Sequence, residues 1–376
     1  MTQKQARLAF FKAISVILLV FLILPASNIM VSGLPQDYKN ESINRLFSID
    51  QFEGHLNRIL FQLNLSGDHN KVVVGKEDWL YLGNAHEKGL IRNRNFIQAS
   101  DDEIDNWVSS MSSRQQWLAK QGIPMVVAIA PNKHSVYPEY LPTGTVIERP
   151  NSTDRLIEAA MRHNLKIIDL RSPLISEKQQ HPYLYNKTDS HWTTLGAYVG
   201  YRAIMQEVTR RVPNTKYYQW DELTISPITH KACCLATMLK INALLDAAFD
   251  HNYKLDFDAR KRPICRVPIG STGEYENACQ NAANHIQPIR KTASQVTMTP
   301  AKNTYSALLF KDSFGRANNH LFNATFNKTW HFHYQKTPKE SLFKELVTTQ
   351  SPSIVIYQIV ERAIFSKPFY DFSSQG

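Results

Sequence analysis

Asp189 and His191 stand two residues apart in Thr188-Asp189-Ser190-His191-Trp192, and Ser313 stands in Lys311-Asp312-Ser313-Phe314-Gly315. A serine hydroxyl is a weak nucleophile until a base takes its proton, and the base works best when a carboxylate orients it. In a D-x-H pair the carboxylate can accept from Nδ1 and leave Nε2 to face the nucleophile. The three residues together suit acyl transfer through a covalent serine intermediate. Each also has a plainer reading. Ser313 could cap a following helix, His191 could be a half-buried histidine packed by Trp192, and the Asp-His pair could ligate a metal. No HExxH or comparable ligand set accompanies the pair, so no metal is expected, and no cofactor either.

Other residues could serve the same chemistry. Gly315 lets the backbone approach closely at the turn after Ser313, where N–H groups can face a developing oxyanion. Asn132 and Lys133 follow an apolar run and could donate to the oxyanion or hold substrate, although Pro-Asn-Lys is also an ordinary turn. Arg316 and Arg362 could bind the carboxylates of a uronic-acid polymer or sit in solvated salt bridges. Trp192 and Trp79 could stack on sugar rings or fill the core.

Positioning such a set falls to the elements around it. Pro124 to Ala130, Lys166 to Leu170, Tyr305 to Phe310 and Ser353 to Tyr357 are short apolar runs of strand length. Helical periodicity lies between them, over 101–121, from Asn151 or Ser152 to His163, over 194–210 and over 338–349. This alternation predicts a parallel sheet covered on both faces, an α/β sandwich. Active sites gather at the carboxyl ends of strands in such sheets, and Asn132, Asp312 and Ser313 each follow a predicted strand. Val72 to Gly75 and Asp78 to Leu82 read as a hairpin. Residues 216–300 break the rhythm and read as an insertion beside the site.

The chain of 376 residues has 43% hydrophobic and 20% charged residues, ordinary for a globular protein, and a net charge of +10. That balance suits an acidic partner such as an anionic polymer or lipid; serving only solubility is the plainer reading. No zinc-finger, helix-turn-helix or RNP-like pattern is present, so nucleic acid is not expected. Lys4, Arg7 and Lys12 precede an uncharged stretch from Ala13 to Gln36, near the roughly 20 residues that span a bilayer. The basic flank predicts a cytoplasmic N-terminus and an exported remainder. A retained signal anchor over 1–36 is preferred to a cleaved signal peptide, since neither Leu24-Pro25-Ala26 nor Val31-Ser32-Gly33 is a clean cleavage site. Residues 37–70 then form a linker and helical lead-in, 71–365 the catalytic domain and 366–376 a tail. Cys233, Cys234, Cys265 and Cys279 fit no metal motif. In an oxidising compartment one or two disulfides could join the Cys233/Cys234 pair to Cys265 and Cys279.

Several of these pieces recur as a set. Gly75-Lys76-Glu77-Asp78-Trp79-Leu80-Tyr81, Ala130-Pro131-Asn132-Lys133 with Tyr137-Pro138 and Leu141-Pro142, and Asp189-Ser190-His191-Trp192-Thr193 with Gly196-Ala197 are three of them. Joined by Lys311-Asp312-Ser313-Phe314-Gly315 and Val360-Glu361-Arg362, they resemble the SGNH-hydrolase-like family of alginate O-acetylation proteins, the AlgJ/AlgX type, over about residues 70–365. The resemblance implies an SGNH-hydrolase-like three-layer sandwich with circularly permuted motif order. It makes Ser313 the nucleophile, His191 the base and Asp189 the residue that orients it. It further implies a periplasmic O-acetyltransferase acting on an exopolysaccharide, held at the inner membrane by its N-terminal span. A membrane-bound donor of the MBOAT type would supply the acetyl group. An acetylesterase using the same triad, or a membrane-tethered polysaccharide-binding protein without catalysis, is the alternative. Lys311-Asp312 departs from the Gly-Asp of many relatives, and the cysteine-bearing segment matches poorly.

Overall fold

Strands buried on both faces make the centre of this molecule. They are seen in a computed structural model that describes residues 48–85, 98–258, 265–268, 295–298, 301–333, 340–365 and 372, with scattered positions between 11 and 46. In chain order the strands are β1 (Val72–Val74), β2 (Leu80–Leu82), β3 (Met125–Ala130), β4 (Ile167–Asp169), β5 (Thr224–His230), β6 (Asp250–Asp256), β7 (Cys265–Pro268), β8 (Gln295–Met298), β9 (Asn303–Lys311), β10 (Phe326–His333) and β11 (Ile354–Val360). The helices used below are α1 (Asp50–Gln62), α2 (Asp101–Lys120), α3 (Lys133–Val136), α4 (Ser152–Arg162), α5 (Arg171–Glu177), α6 (Thr194–Arg211), α7 (Leu235–Met238), α8 (Asn319–Thr325) and α9 (Glu340–Gln350).

Among the described residues the main sheet has the order β4-β3-β11-β9-β10-β8-β7. The first five strands are parallel. The last two, β8 and β7, pair antiparallel at one edge. The sheet is thus mostly rather than wholly parallel, and β10 and the β8–β7 edge lie where the sequence offered no apolar run. Every residue of β3 and β11 is buried, as expected of central strands covered on both faces.

Aromatic residues mark one helical layer. Phe310 lies 5.5 Å from Phe332 and 4.7 Å from Tyr357, and it meets Phe343 of α9, which meets Trp117 of α2. A second layer groups α5, α6 and α8, with Tyr201 of α6 edge-on to Phe322 of α8. A smaller apolar cluster joins Phe61, the β1–β2 hairpin, Leu235, Ala236 and Ile241.

The caps set where helices start. Ser100 and Glu103 form a capping box at α2, and Asn151 with Asp154 forms one at α4. The Thr193 hydroxyl accepts from the Gly196 N–H and starts α6 two residues past His191. The expected anchor over 1–36 and the tail over 366–376 fall largely outside the described residues, as does Cys279. No helix among the described residues is long and apolar enough to cross a membrane.

Candidate active site

The parallel strands deliver their carboxyl ends to one side of the sheet, and the polar residues there meet. β9 ends in Lys311 and turns at Asp312 and Ser313. One Asp312 oxygen accepts from the Phe314 N–H at 2.8 Å and the other from the Val360 N–H at 2.5 Å. The carboxylate therefore pins the Ser313 turn to the end of β11. Burial raises the Asp312 carboxyl above its ordinary value, while the two backbone N–H groups and the charges of Arg362 and His191 oppose that rise.

The segment Leu184 to Thr193 folds back on itself and carries the other half of the site. Thr193 N–H donates to Leu184 O at 2.8 Å, and Tyr185 bridges Trp192. Asp189 and His191 stand at its tip. Asp189 Oδ1 lies 2.8 Å from His191 Nδ1 and also accepts the His191 backbone N–H. His191 Nε2 lies 2.8 Å from Ser313 Oγ, across 122 positions of sequence. Burial alone would raise the Asp189 carboxyl. The hydrogen bond and charge of His191, with a contact from Cys234, hold it well below the usual carboxylate range instead. Asp189 is thus an ionised acceptor beside an imidazole whose other nitrogen faces a hydroxyl.

Lys133 stands elsewhere than a substrate or oxyanion donor would. Its Nζ lies 2.8 Å from Asn186 O, 2.9 Å from Lys187 O and 2.7 Å from Asp189 O. An ammonium has three N–H bonds, and these carbonyls take all of them. Lys133 clamps the loop that bears Asp189. Burial pushes its ammonium down to about 7, while Asp250, Asp189 and Cys233 pull it back up. Trp192 also departs from a sugar-stacking role: it is 2% exposed, and its indole N–H donates to Phe314 O at 3.0 Å. Trp79 is buried and stacks on both Tyr137 and Tyr140.

Asn132 is buried, its Oδ1 accepting from Arg362 at 3.0 Å and its backbone N–H donating to Glu361 at 3.0 Å. Among the described residues its side-chain N–H groups find no acceptor. Gly315 packs on Lys311: a Cβ there would lie 2.5 Å from Lys311 Cδ and 2.8 Å from its Cβ. Arg316 is exposed three residues past Ser313, and its side chain has no partner among the described residues.

Several supporting residues carry little or no sequence signal. Asp250, fully buried at the start of β6, accepts from the Lys187 and Thr188 N–H groups and the Thr188 hydroxyl. Glu361 accepts from Asn132 and, at 2.6 Å, from Ser135. Tyr185 donates to Pro131 O at 2.6 Å. Glu361 falls within the recurrent Val360-Glu361-Arg362 piece, which was its only signal; Asp250 and Tyr185 had none.

Comparison with known proteins agrees on fold and family likeness. A family described as SGNH hydrolase-like domain, acetyltransferase AlgX, matches residues 72–243. That stretch includes Asp189 and His191 and stops short of Ser313. A Pseudomonas syringae pv. tomato protein named a probable alginate O-acetylase AlgJ is 29% identical over 143 residues, which is 38% of this chain and 34% of that protein. The match thus spans about a third of that relative. Among solved structures, Bacillus cereus PatB1 superposes with a TM-score of 0.57 at 16% identity, covering 79% of this chain and 98% of that one. A DHHW family protein from Eubacterium siraeum gives 0.56 at 15% identity, covering 80% and 94%. The fold is an SGNH-like α/β sandwich with a mostly parallel central sheet.

Proposed function

We propose that this chain is an O-acetyltransferase that moves an acetyl group through Ser313 onto hydroxyls of an exported polysaccharide. The observation that carries the proposal is the continuous relay Asp189–His191–Ser313, with both links at 2.8 Å. The likeness to AlgX-type domains and to a probable alginate O-acetylase supports the acceptor class.

In the first half-reaction His191 Nε2 takes the Ser313 proton as Oγ attacks the acetyl carbonyl carbon. The resulting oxyanion faces the turn after Ser313 and the Asn132 amide, whose oxygen end is occupied by Arg362. His191 returns the proton to the leaving group, and acetyl-Ser313 remains. A sugar hydroxyl then gives its proton to His191 and attacks the ester, and Ser313 leaves as a hydroxyl once His191 returns that proton. Asp189 stays ionised throughout and supports the imidazolium. Arg316, exposed beside this turn, suits a sugar carboxylate.

The same reading puts the domain in the periplasm, behind a single span within residues 1–36, with a membrane-bound acetyl donor of the MBOAT type. The basic residues ahead of Ala13 and the uncharged stretch after them support it. The test incubates the full chain and its Ser313→Ala variant with an activated acetyl ester, with and without an acetyl-free acidic oligosaccharide. Gain of acetyl mass on the sugar that depends on Ser313 is the expected result. Serine-dependent cleavage without transfer would replace the reading with an acetylesterase. Identical behaviour of the two proteins would favour a binding protein without catalysis.

A further inference from the structure

Cys233 and Cys234 sit against the face of Asp189 that His191 does not use. Cys233 Sγ lies 3.7 Å from Asp189 Oδ2 and 3.0 Å from Cys234 Sγ. All three ligand atoms fall within 4.8 Å of one another. The surroundings hold the pair there. Cys233 N–H donates to the Thr188 hydroxyl at 3.0 Å and Leu235 N–H to Thr188 O at 2.9 Å. Thr188 is in turn held by buried Asp250. Between those two anchors Cys234 takes φ 47° and ψ −87°, an uncommon conformation for a residue with a Cβ. Such outliers persist only where neighbours over-determine them, and they cluster at functional sites.

We propose that Cys233 and Cys234 form a reversible thiol–disulfide site that exchanges with small or protein disulfides and closes as a bond between neighbouring residues. Cys234 is exposed and makes the first attack as a thiolate, after giving up its proton to solvent. It forms a mixed disulfide and releases one thiol of the incoming disulfide. Cys233, losing its proton, then attacks the Cys234 sulfur and releases the second. Two electrons pass from the pair to the oxidant, and two protons end on the released thiols. The two sulfurs must approach by about 1 Å to reach a disulfide length of about 2.05 Å. Consecutive Cα atoms about 3.8 Å apart fall below the usual range for bridged cysteines. The bond is therefore strained and readily reduced, a property of labile rather than structural disulfides. Contact with Cys234, burial and the nearby Asp189 charge all push the Cys233 thiol up, so in the reduced pair it is a protonated donor to Asp189.

Closure removes that S–H donor from Asp189 Oδ2, and the relay slows; this consequence rests on Asp189 orienting His191. The test equilibrates the full chain across a glutathione redox series, blocks remaining thiols with an alkylating agent and maps the peptides by mass. The expected oxidised product is one peptide holding both Cys233 and Cys234, two hydrogens lighter and unalkylated. Ser313-dependent turnover of an acetyl ester should fall about 3- to 10-fold in step with it and return on reduction. Cys234→Ser should abolish both responses. A cross-link from either residue to Cys265 or Cys279, or thiols that stay alkylatable across the series, would overturn the site. A mapped Cys233–Cys234 bond with unchanged turnover would overturn its coupling to Asp189. Failure of the acetyltransfer reading itself shows differently, as turnover indifferent to Ser313 in the reduced protein, while the peptide map still decides the thiol site.

Discussion

At the scale of single residues, the site separates groups that react from groups that hold them. In the proposed reaction Asn132 belongs with the first. Its amide oxygen is committed to Arg362, leaving the N–H end to meet a developing oxyanion. Asn132→Ala should lower kcat by about 10²-fold with little change in KM, the signature of a donor used mainly in the transition state. Steady-state kinetics on an acetyl ester would show it; an equal loss in substrate binding would argue against the role. Asp189 acts through His191. Asp189→Asn should reduce kcat by about 10²–10⁴-fold, and it should also change how stability depends on pH. The folded-state Asp189 carboxyl titrates below its unfolded value of 3.8, so the unfolded chain binds that proton more tightly. Its stabilisation is then fully present above about pH 4 and is lost as pH falls through the folded value. Urea unfolding across that range should find wild type more stable than Asp189→Asn at neutral pH, with the two converging in acid. The D-x-H pair was legible because its partners are two residues apart and local geometry brings them together. Lys133 was misread because spacing does not reveal that a lysine is buried with its N–H bonds spent on carbonyls.

Elements explain why Ser313 arrives at His191 at all. β9 and β11 run parallel, and Asp312 bolts the end of one to the end of the other through the Val360 N–H. The following turn is tight enough to need a residue without a Cβ. Gly315→Ala would set a methyl carbon 2.5–3.0 Å from the Lys311 side chain, which is itself buried at the strand end. Overpacking of this kind costs about 1–3 kcal/mol, and here it moves the nucleophile's own turn. Lowered unfolding midpoints together with slower ester turnover are expected; a variant as stable as wild type would show that the turn can relax. The apolar strands β3, β9 and β11 were readable because burial on both faces leaves few polar residues in them. β10 was not. Its Thr329 and His331 are buried and share the Asn323 side-chain oxygen, so a core strand carries a polar sequence. The β5–β6 hairpin was likewise hidden, since its strand β5 is largely exposed and has no apolar face to advertise it.

For the whole molecule, the segment between α6 and β9 turns out to support the Asp189–His191–Ser313 set rather than merely border it. It supplies Asp250 beneath the loop, the thiols beside Asp189, and Asn252, which accepts from the first N–H of α6 at 2.8 Å. No local pattern could show this, because each contact joins residues about 44 to 63 positions apart. The net charge of +10 suits an acidic partner such as the proposed polymer. A retained anchor predicts that the full chain stays with membranes through an alkaline carbonate wash, whereas release to the supernatant would point to a cleaved signal. The proposed reaction turns on a covalent intermediate on Ser313. Its most direct test is the intact mass of the protein after brief exposure to an activated acetyl ester and an acid quench, followed by peptide mapping. One added acetyl group on Ser313, absent in Ser313→Ala and lost on adding an acceptor sugar, is the predicted result. No acetylation, or an acetyl group that persists in Ser313→Ala, would contradict it.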